Sequence, residues 1–203
     1  MKKAQIDKIV KKQHSCGEFC KQFTKNFKSA WKVLMSLGYV FVVTLTVFPG
    51  TFFTSHFTFM DGMSTQGAEF TWYTLIVILT FNILDTVGRK MGGMMEVPSG
   101  VVYTLSLIRT AFVVSTIMIA QKEGVSGFAN SDAFKIINLI LFAWSNGFVS
   151  TCCAIQAPRF VENDQKEQVG IFVGLFIIIG ITIGSIIAMP IGSHIHSDYW
   201  HLG

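Results

Sequence analysis

Five stretches of about 20 mostly apolar residues constrain this chain more than any other feature. They fall at 33–53, 70–88, 99–120, 133–157 and 170–191. Each is long enough to cross a hydrocarbon core as a helix, because a helix rises about 1.5 Å per residue through a layer about 30 Å thick. The connections at 54–69, 89–98, 121–132 and 158–169 are short and carry Gly, Pro, Asp and Lys, the residues that interrupt regular structure. No soluble domain fits between them. The expected fold is an all-α integral membrane bundle of five helices. Three regions are read along the chain: a Lys-rich tail at 1–32, a transmembrane domain at 33–191 and a polar C-terminal tail at 192–203. Composition agrees, with 51% hydrophobic residues, 14% charged and a mean hydropathy of +0.51, against roughly a quarter charged in soluble domains.

The net charge of +4 belongs to one end of the chain, since nine of the sixteen Lys and Arg precede residue 33. That cluster abuts an apolar segment, so it points to a membrane surface and not to nucleic acid. If the N-terminus is cytosolic, Lys2, Lys3, Lys8, Lys11, Lys12, Lys21, Lys25, Lys28, Lys32, Arg89, Lys90, Arg159 and Lys166 lie on that side. Lys122 and Lys135 lie on the other, a bias of 13 to 2. The expectation is therefore a cytosolic N-terminus and an extracellular C-terminus, most simply in the plasma membrane. About thirty polar residues before the first span are too many for a signal-peptide n-region, so that span is expected to direct its own insertion. The tail has no Arg, unlike organellar presequences, and reads as a solvated stretch with weak attraction to anionic lipid. Cys16, Cys20, Cys152 and Cys153 form no disulfide framework.

Polar residues inside the spans need a physical reason, because an ionisable group at bilayer depth costs about 2.5–3.5 kcal/mol on insertion scales. Thr71, Thr74, Asn82, Asp85 and Arg89 of the second span fall within an arc of about 80° on a helical projection, with only Ile78 interrupting. Such a face is expected to line a wet interior. Asp85 and Arg89 are four residues apart and can pair, although Arg89 beside Lys90 also suits a topology anchor. Arg109 stands near the middle of the third span between Leu107, Ile108, Ala111 and Phe112. It requires a counter-charge or a water-filled path, and a structural Asp85–Arg109 pair joining two helices is the simplest account. The fourth span carries Ser145, Asn146, Gly147, Ser150 and Thr151, and the fifth carries Gly170, Gly174, Gly180 and Gly184. Both patterns suit close helix packing. Pro49 is expected to kink the first span.

These residues coincide with family motifs. Phe81-Asn82-Ile83-Leu84-Asp85-Thr86-Val87-Gly88-Arg89 resembles the FNxxDxxGR signature of equilibrative nucleoside transporters. Leu45-Thr46-Val47-Phe48-Pro49-Gly50 resembles that family's phenylalanine-proline element. Phe142-Ala143-Trp144-Ser145-Asn146-Gly147-Phe148 resembles its FAxSNGY element, with Phe148 in place of tyrosine. Glu167-Gln168-Val169-Gly170 and the following Gly180-Ile181-Thr182-Ile183-Gly184-Ser185 resemble its last helix. The resemblance implies the last five of eleven helices in a major-facilitator-like arrangement, and facilitated diffusion of nucleosides and nucleobases by alternating access. It implies Asn82, Asp85 and Arg89 as polar substrate or gating residues and Phe48 as an apolar wall. Arg109 joins them as a substrate-binding candidate. The expected partners are a nucleoside substrate, the lipid bilayer and a chain or oligomer supplying the other half; no cofactor, metal or enzymatic activity is expected.

Two alternatives belong to other classes. The chain could be a non-transporting membrane subunit whose Gly faces recruit another protein. His14, Cys16 and Cys20, or His194, His196 and His201, could hold zinc, although neither group has the paired spacing of a known zinc motif.

Overall fold

A computed structural model describes residues 16–50, 57, 68–120 and 131–200, with side chains described for 20–50, 57, 72–119 and 131–191. Its elements are α1 (Cys16–Val47), α2 (Ala68–Met94), α3 (Ser99–Ile108), α4 (Thr110–Ala120), α5 (Asp132–Gln156) and α6 (Lys166–Trp200). Two 3₁₀ turns, Ala157–Phe160 and Asn163–Gln165, join α5 to α6. The described residues contain no strand, and the molecule is an all-α membrane bundle. Cys20–Val47, Ser99–Ile119, Asp132–Phe160 and Asn163–Ile191 are long and apolar enough to cross a bilayer. α2, at 27 residues, has the length as well, with its apolar run interrupted by Asn82, Asp85 and Arg89.

The helices outrun the apolar segments that announce them. α1 begins at Cys16, inside the Lys-rich stretch expected as tail, and α6 continues to Trp200. Hydropathy marks where lipid begins, but backbone hydrogen bonding continues into the interface wherever packing supports it. α1 does not carry a Pro49 kink. It ends at Val47, and Phe48 and Pro49 form the turn after it, so proline acts as a terminator. The third span is interrupted at Arg109, where the Phe112 N–H bonds to the Arg109 carbonyl at 3.0 Å. Pro98 starts that span by accepting from the Val101 and Val102 N–H groups. Pro158 lies in the 3₁₀ turn that closes α5.

Two helix pairs form the bundle, α2 against α5 and α1 against α6, with α1 also touching α5. Glycine permits both close crossings. A Cβ on Gly88 would overlap the Trp144 carbonyl, and one on Gly147 the Asp85 carbonyl. A Cβ on Gly180 would meet the Gly38 carbonyl, and one on Gly184 the Val42 carbonyl at 2.7 Å. Of the two glycine spacings in the last span, only Gly180 and Gly184 serve this contact; Gly170 and Gly174 meet nothing within 4 Å.

The buried apolar residues separate into two clusters along the bilayer normal. One gathers Leu34, Leu37, Phe148, Val149, Val169 and Phe172. The other gathers Val43, Val47, Tyr73, Val77, Phe81 and Phe142. On α1 and α5 the polar residues Thr44 and Asn146 fall near the level where one cluster gives way to the other, and Asp85 of α2 meets Asn146 there. The outward faces of α3, α5 and α6 remain apolar, with Leu107, Ile137, Ile178 and Ile186 among the exposed side chains, while that of α2 mixes Leu79 and Ile83 with exposed Asn82, Thr86 and Arg89.

Candidate functional site: a polar network at the seam of two apolar clusters

Asp85 is buried, at 8% exposure, and each of its carboxylate oxygens has a partner. Arg89 Nε donates to Oδ2 at 2.7 Å, one helical turn along α2. Asn146 Nδ2 on α5 donates to Oδ1 at 2.6 Å. The other end of the Asn146 amide faces α1 and the α3–α4 break. Its Oδ1 lies 2.7 Å from Thr44 Oγ1 and 3.3 Å from Arg109 Nη2. This amide orientation is the one consistent with the charges, since a carboxylate can only accept and a guanidinium can only donate.

Arg109 is 1% exposed, the largest fully buried side chain among those described. Nη1 donates to the Phe142 carbonyl at 3.2 Å and to Ser145 Oγ. Nη2 donates to Thr44 Oγ1 at 2.9 Å. Thr44 Oγ1 is also 2.7 Å from the Val40 carbonyl, so its single proton serves either that oxygen or Asn146. The guanidinium carbon lies 5.1 Å from the Phe142 ring centroid and 5.9 Å from that of Phe112. Arg109 Nε is buried without a hydrogen-bond partner among the described residues. The break at Arg109 and the small Ser145 allow this long side chain to reach α1 and α5 at once.

The expected direct Asp85–Arg109 pair is not formed: Asn146 stands between the two charges and bonds to both. The five polar residues of the second span are also not equivalent. Asn82 is exposed, and its amide returns to the Ile78 carbonyl at 2.8 Å. Thr86 is exposed and bonds to the Asn82 carbonyl at 2.7 Å. The Arg89 side chain is 46% exposed while Asp85 points inward. The Thr74 hydroxyl is buried without a partner among the described residues, and the Thr71 side chain lies outside them. Phe48 is half-buried and stacks on Phe81 with ring centroids 4.1 Å apart and planes 15° apart. Phe81 lies 5.9 Å from Phe142, which lies 5.4 Å from Phe112. An aromatic layer therefore covers one side of the polar network.

Beyond that layer α5 and α4 carry a second polar cluster. Ser115 Oγ donates to Asn138 Oδ1 at 2.7 Å, and Asn138 Nδ2 donates to Thr116 Oγ1 at 3.3 Å. Lys135, 3% exposed, pairs with Asp132 at 3.8 Å. Sequence reasoning singled out neither cluster's neutral members. Asn146 and Ser145 were visible as part of a packing pattern and of the FAxSNGY-like element, with no role assigned to either, and Thr44 had no signal beyond being a hydroxyl in an apolar run. Among the described residues no group of His, Cys, Asp and Glu could hold a metal. The zinc candidates His14, Cys16, His194, His196 and His201 lie outside the described side chains.

Taken together, the network joins four helices through one carboxylate, two guanidinium groups and neutral hydrogen-bonding side chains, for a net charge of +1. Arg89, Asn82 and Thr86 carry its polarity to the outer face of α2. Comparison with known proteins places this arrangement in context. The sequence matches the family described as Nucleoside transporter over residues 3–192. It is 28% identical over 166 residues to equilibrative nucleoside transporter 2 of Homo sapiens, covering 78% of this chain and 35% of that protein. It is 25% identical to equilibrative nucleoside transporter 1 of Homo sapiens, covering 74% of this chain and 34% of that protein. It is also 25% identical to adenosine transporter 1 of Crithidia fasciculata, covering 77% and 30%. The chain spans about a third of the length of these relatives. With nearly its whole length matched, the chain belongs to the nucleoside transporter family.

Proposed function

We propose that the chain forms the C-terminal five-helix bundle of an equilibrative nucleoside carrier, oriented with its N-terminus cytosolic in the plasma membrane. A second, six-helix bundle packs against the outer face of α2, and the nucleoside passes between the two. The observation that carries this reading is the exposure of Asn82, Thr86 and Arg89 on a membrane helix beside a buried, anchored Asp85. Polar groups at that depth face a partner or a cavity in preference to lipid. Carriers built from two bundles place their substrate between the halves.

In this reading Arg89 and Asn82 offer N–H donors, and Asp85 and Asn82 offer acceptors, to the ribose hydroxyls and base edge. Each carboxylate oxygen retains a second lone pair beyond the bond it already accepts. Phe48, stacked on Phe81, supplies an apolar wall for the base. Arg109 acts as a positioning residue, holding α1, the α3–α4 break and α5 around Asn146, which in turn holds Asp85. No cofactor enters this mechanism.

The test is uptake of radiolabelled adenosine and uridine into proteoliposomes containing this chain together with a six-helix N-terminal bundle from a relative. Saturable uptake is expected, with Asp85→Asn and Arg89→Ala each lowering it at least about tenfold, the effect of losing about 1.4 kcal/mol. Unchanged uptake in both variants, at equal insertion, would rule out this site.

A further inference from the structure

We propose that the cleft between the first turns of α1 and the 3₁₀ turns joining α5 to α6 binds the headgroup of phosphatidylserine, taken from the leaflet on the N-terminal side. The proposal is independent of transport and requires only that the bundle lie in a bilayer. A cavity of about 250 Å³ opens there, lined by Lys25 and Ser29 from α1 and by Arg159, Phe160, Glu162 and Gln165 from the connecting turns. It is smaller than the roughly 300–1,000 Å³ typical of small-molecule pockets. That size suits a headgroup whose chains stay in the membrane.

Depth places the cavity at the headgroup layer. α1 and α6 run parallel with a constant offset of 142 residues. Asn26 bonds to Gln168 at 2.9 Å, Gly180 approaches Gly38, and Gly184 approaches Val42. The apolar run of α6 starts at 170, level with Lys28 on α1. Lys25 and the cavity therefore sit about one turn outside the hydrocarbon, while Trp31, 46% exposed, sits at the interface where such side chains anchor.

Charge then selects the ligand. Lys21, Lys25, Lys28 and Lys32 are all exposed and fall within an arc of about 60° on α1, a basic stripe facing the leaflet. Basic pockets between membrane helices attract anionic headgroups. The cavity itself holds two cations, Lys25 and Arg159, and one carboxylate, Glu162. Phosphatidylserine carries the complementary set: a phosphate and a carboxylate for the two cations, and an ammonium for Glu162. Arg159 also contacts Glu96 at 3.3 Å, but the two side chains are 54% and 85% exposed, so that pair readily exchanges for a phosphate. Phe160, 43% exposed at the rim, faces the glycerol and upper chain.

Native mass spectrometry of the full chain, titrated with phosphatidylserine, phosphatidylglycerol and phosphatidylcholine, tests the assignment. Phosphatidylserine is expected to bind at least about tenfold more tightly than phosphatidylcholine and several-fold more tightly than phosphatidylglycerol. The double variant Lys25→Gln, Arg159→Gln should remove the preference, while Lys90→Gln on α2 should leave it intact. Glu162→Gln should lower phosphatidylserine to the level of phosphatidylglycerol. Equal binding of phosphatidylserine and phosphatidylcholine would overturn the site, and equal binding of phosphatidylserine and phosphatidylglycerol would overturn the headgroup assignment. Displacement by inorganic phosphate or glycerophosphoserine at the same concentration would reassign the site to a free anion.

Discussion

Replacing Asn146 by alanine tests the central contact of the bundle. The amide bonds to Asp85 at 2.6 Å, to Thr44 at 2.7 Å and to Arg109 at 3.3 Å. Thr44 keeps the Val40 carbonyl, and Arg109 keeps Thr44, Ser145 and the Phe142 carbonyl, so those two lose little. The loss falls on Asp85 Oδ1, which is left buried beside an apolar gap. Interhelical hydrogen bonds in membranes average about 0.6 kcal/mol, whereas bonds to charged groups contribute about 1.5–3 kcal/mol. Asp85 is charged and 8% exposed, so the larger range governs, and Asn146→Ala is expected to cost about 2 kcal/mol. The measurement is reversible SDS-driven unfolding of the full chain in bicelles, followed by helical circular dichroism. A double-mutant cycle with Asp85→Ala isolates the pair, with an expected coupling energy of about 1–2 kcal/mol. Additivity of the two substitutions to within about 0.3 kcal/mol would refute the bridge, whatever each does alone.

Three further outcomes follow from the packing. Arg109→Leu removes the donor shared by Ser145, Thr44 and the Phe142 carbonyl and is expected to lower stability by about 3 kcal/mol. Arg109→Lys should not restore it in the same unfolding assay, because a single ammonium cannot reproduce the planar fork reaching Thr44 and Ser145 together. Gly147→Ala drives a methyl into the backbone of Asp85 and Arg89 and should cost about 1–3 kcal/mol. Gly93→Ala, which meets nothing within 4 Å, should be neutral or stabilise by up to about 1 kcal/mol; equal effects of the two glycine variants would contradict the close crossing. In a Cys16→Ser background, maleimide should label exposed Cys20 in the folded chain. Cys152 and Cys153, 3% and 0% exposed, should react only after unfolding, as read by mass spectrometry.

How much of this was legible beforehand differs from residue to residue. The spans are readable from hydropathy because a hydrocarbon solvent imposes one length and one polarity on any helix that crosses it. Arg109 and Asp85 were visible as anomalies for the same reason: charge at bilayer depth always demands a partner. The identity of the partner was not visible. Asn146 is a neutral residue inside a motif that close packing explains equally well, and its role appears only when α5 is rotated and set in depth against α2. The start of α1 at Cys16 was not legible because the Lys stripe at Lys21–Lys25–Lys28–Lys32 reads as a polar tail in a hydropathy count. Phe27 stacks on Phe176, and Phe23 meets Phe172 edge-on at 4.5 Å, which holds that stretch helical against α6.

Sequence alone determined the solvent, the all-α class, the family resemblance and which residues of the second span are polar. Those properties depend on composition and on the 3.6-residue period, both local to one segment. Tertiary structure alone decided that Asn82 turns outward while Asp85 turns inward, that Asn146 separates Asp85 from Arg109, and that Gly180 rather than Gly170 meets α1. Such outcomes depend on the rotation and axial offset of one helix against another. Those two quantities are set by where glycine lets backbones meet, and no single segment encodes them.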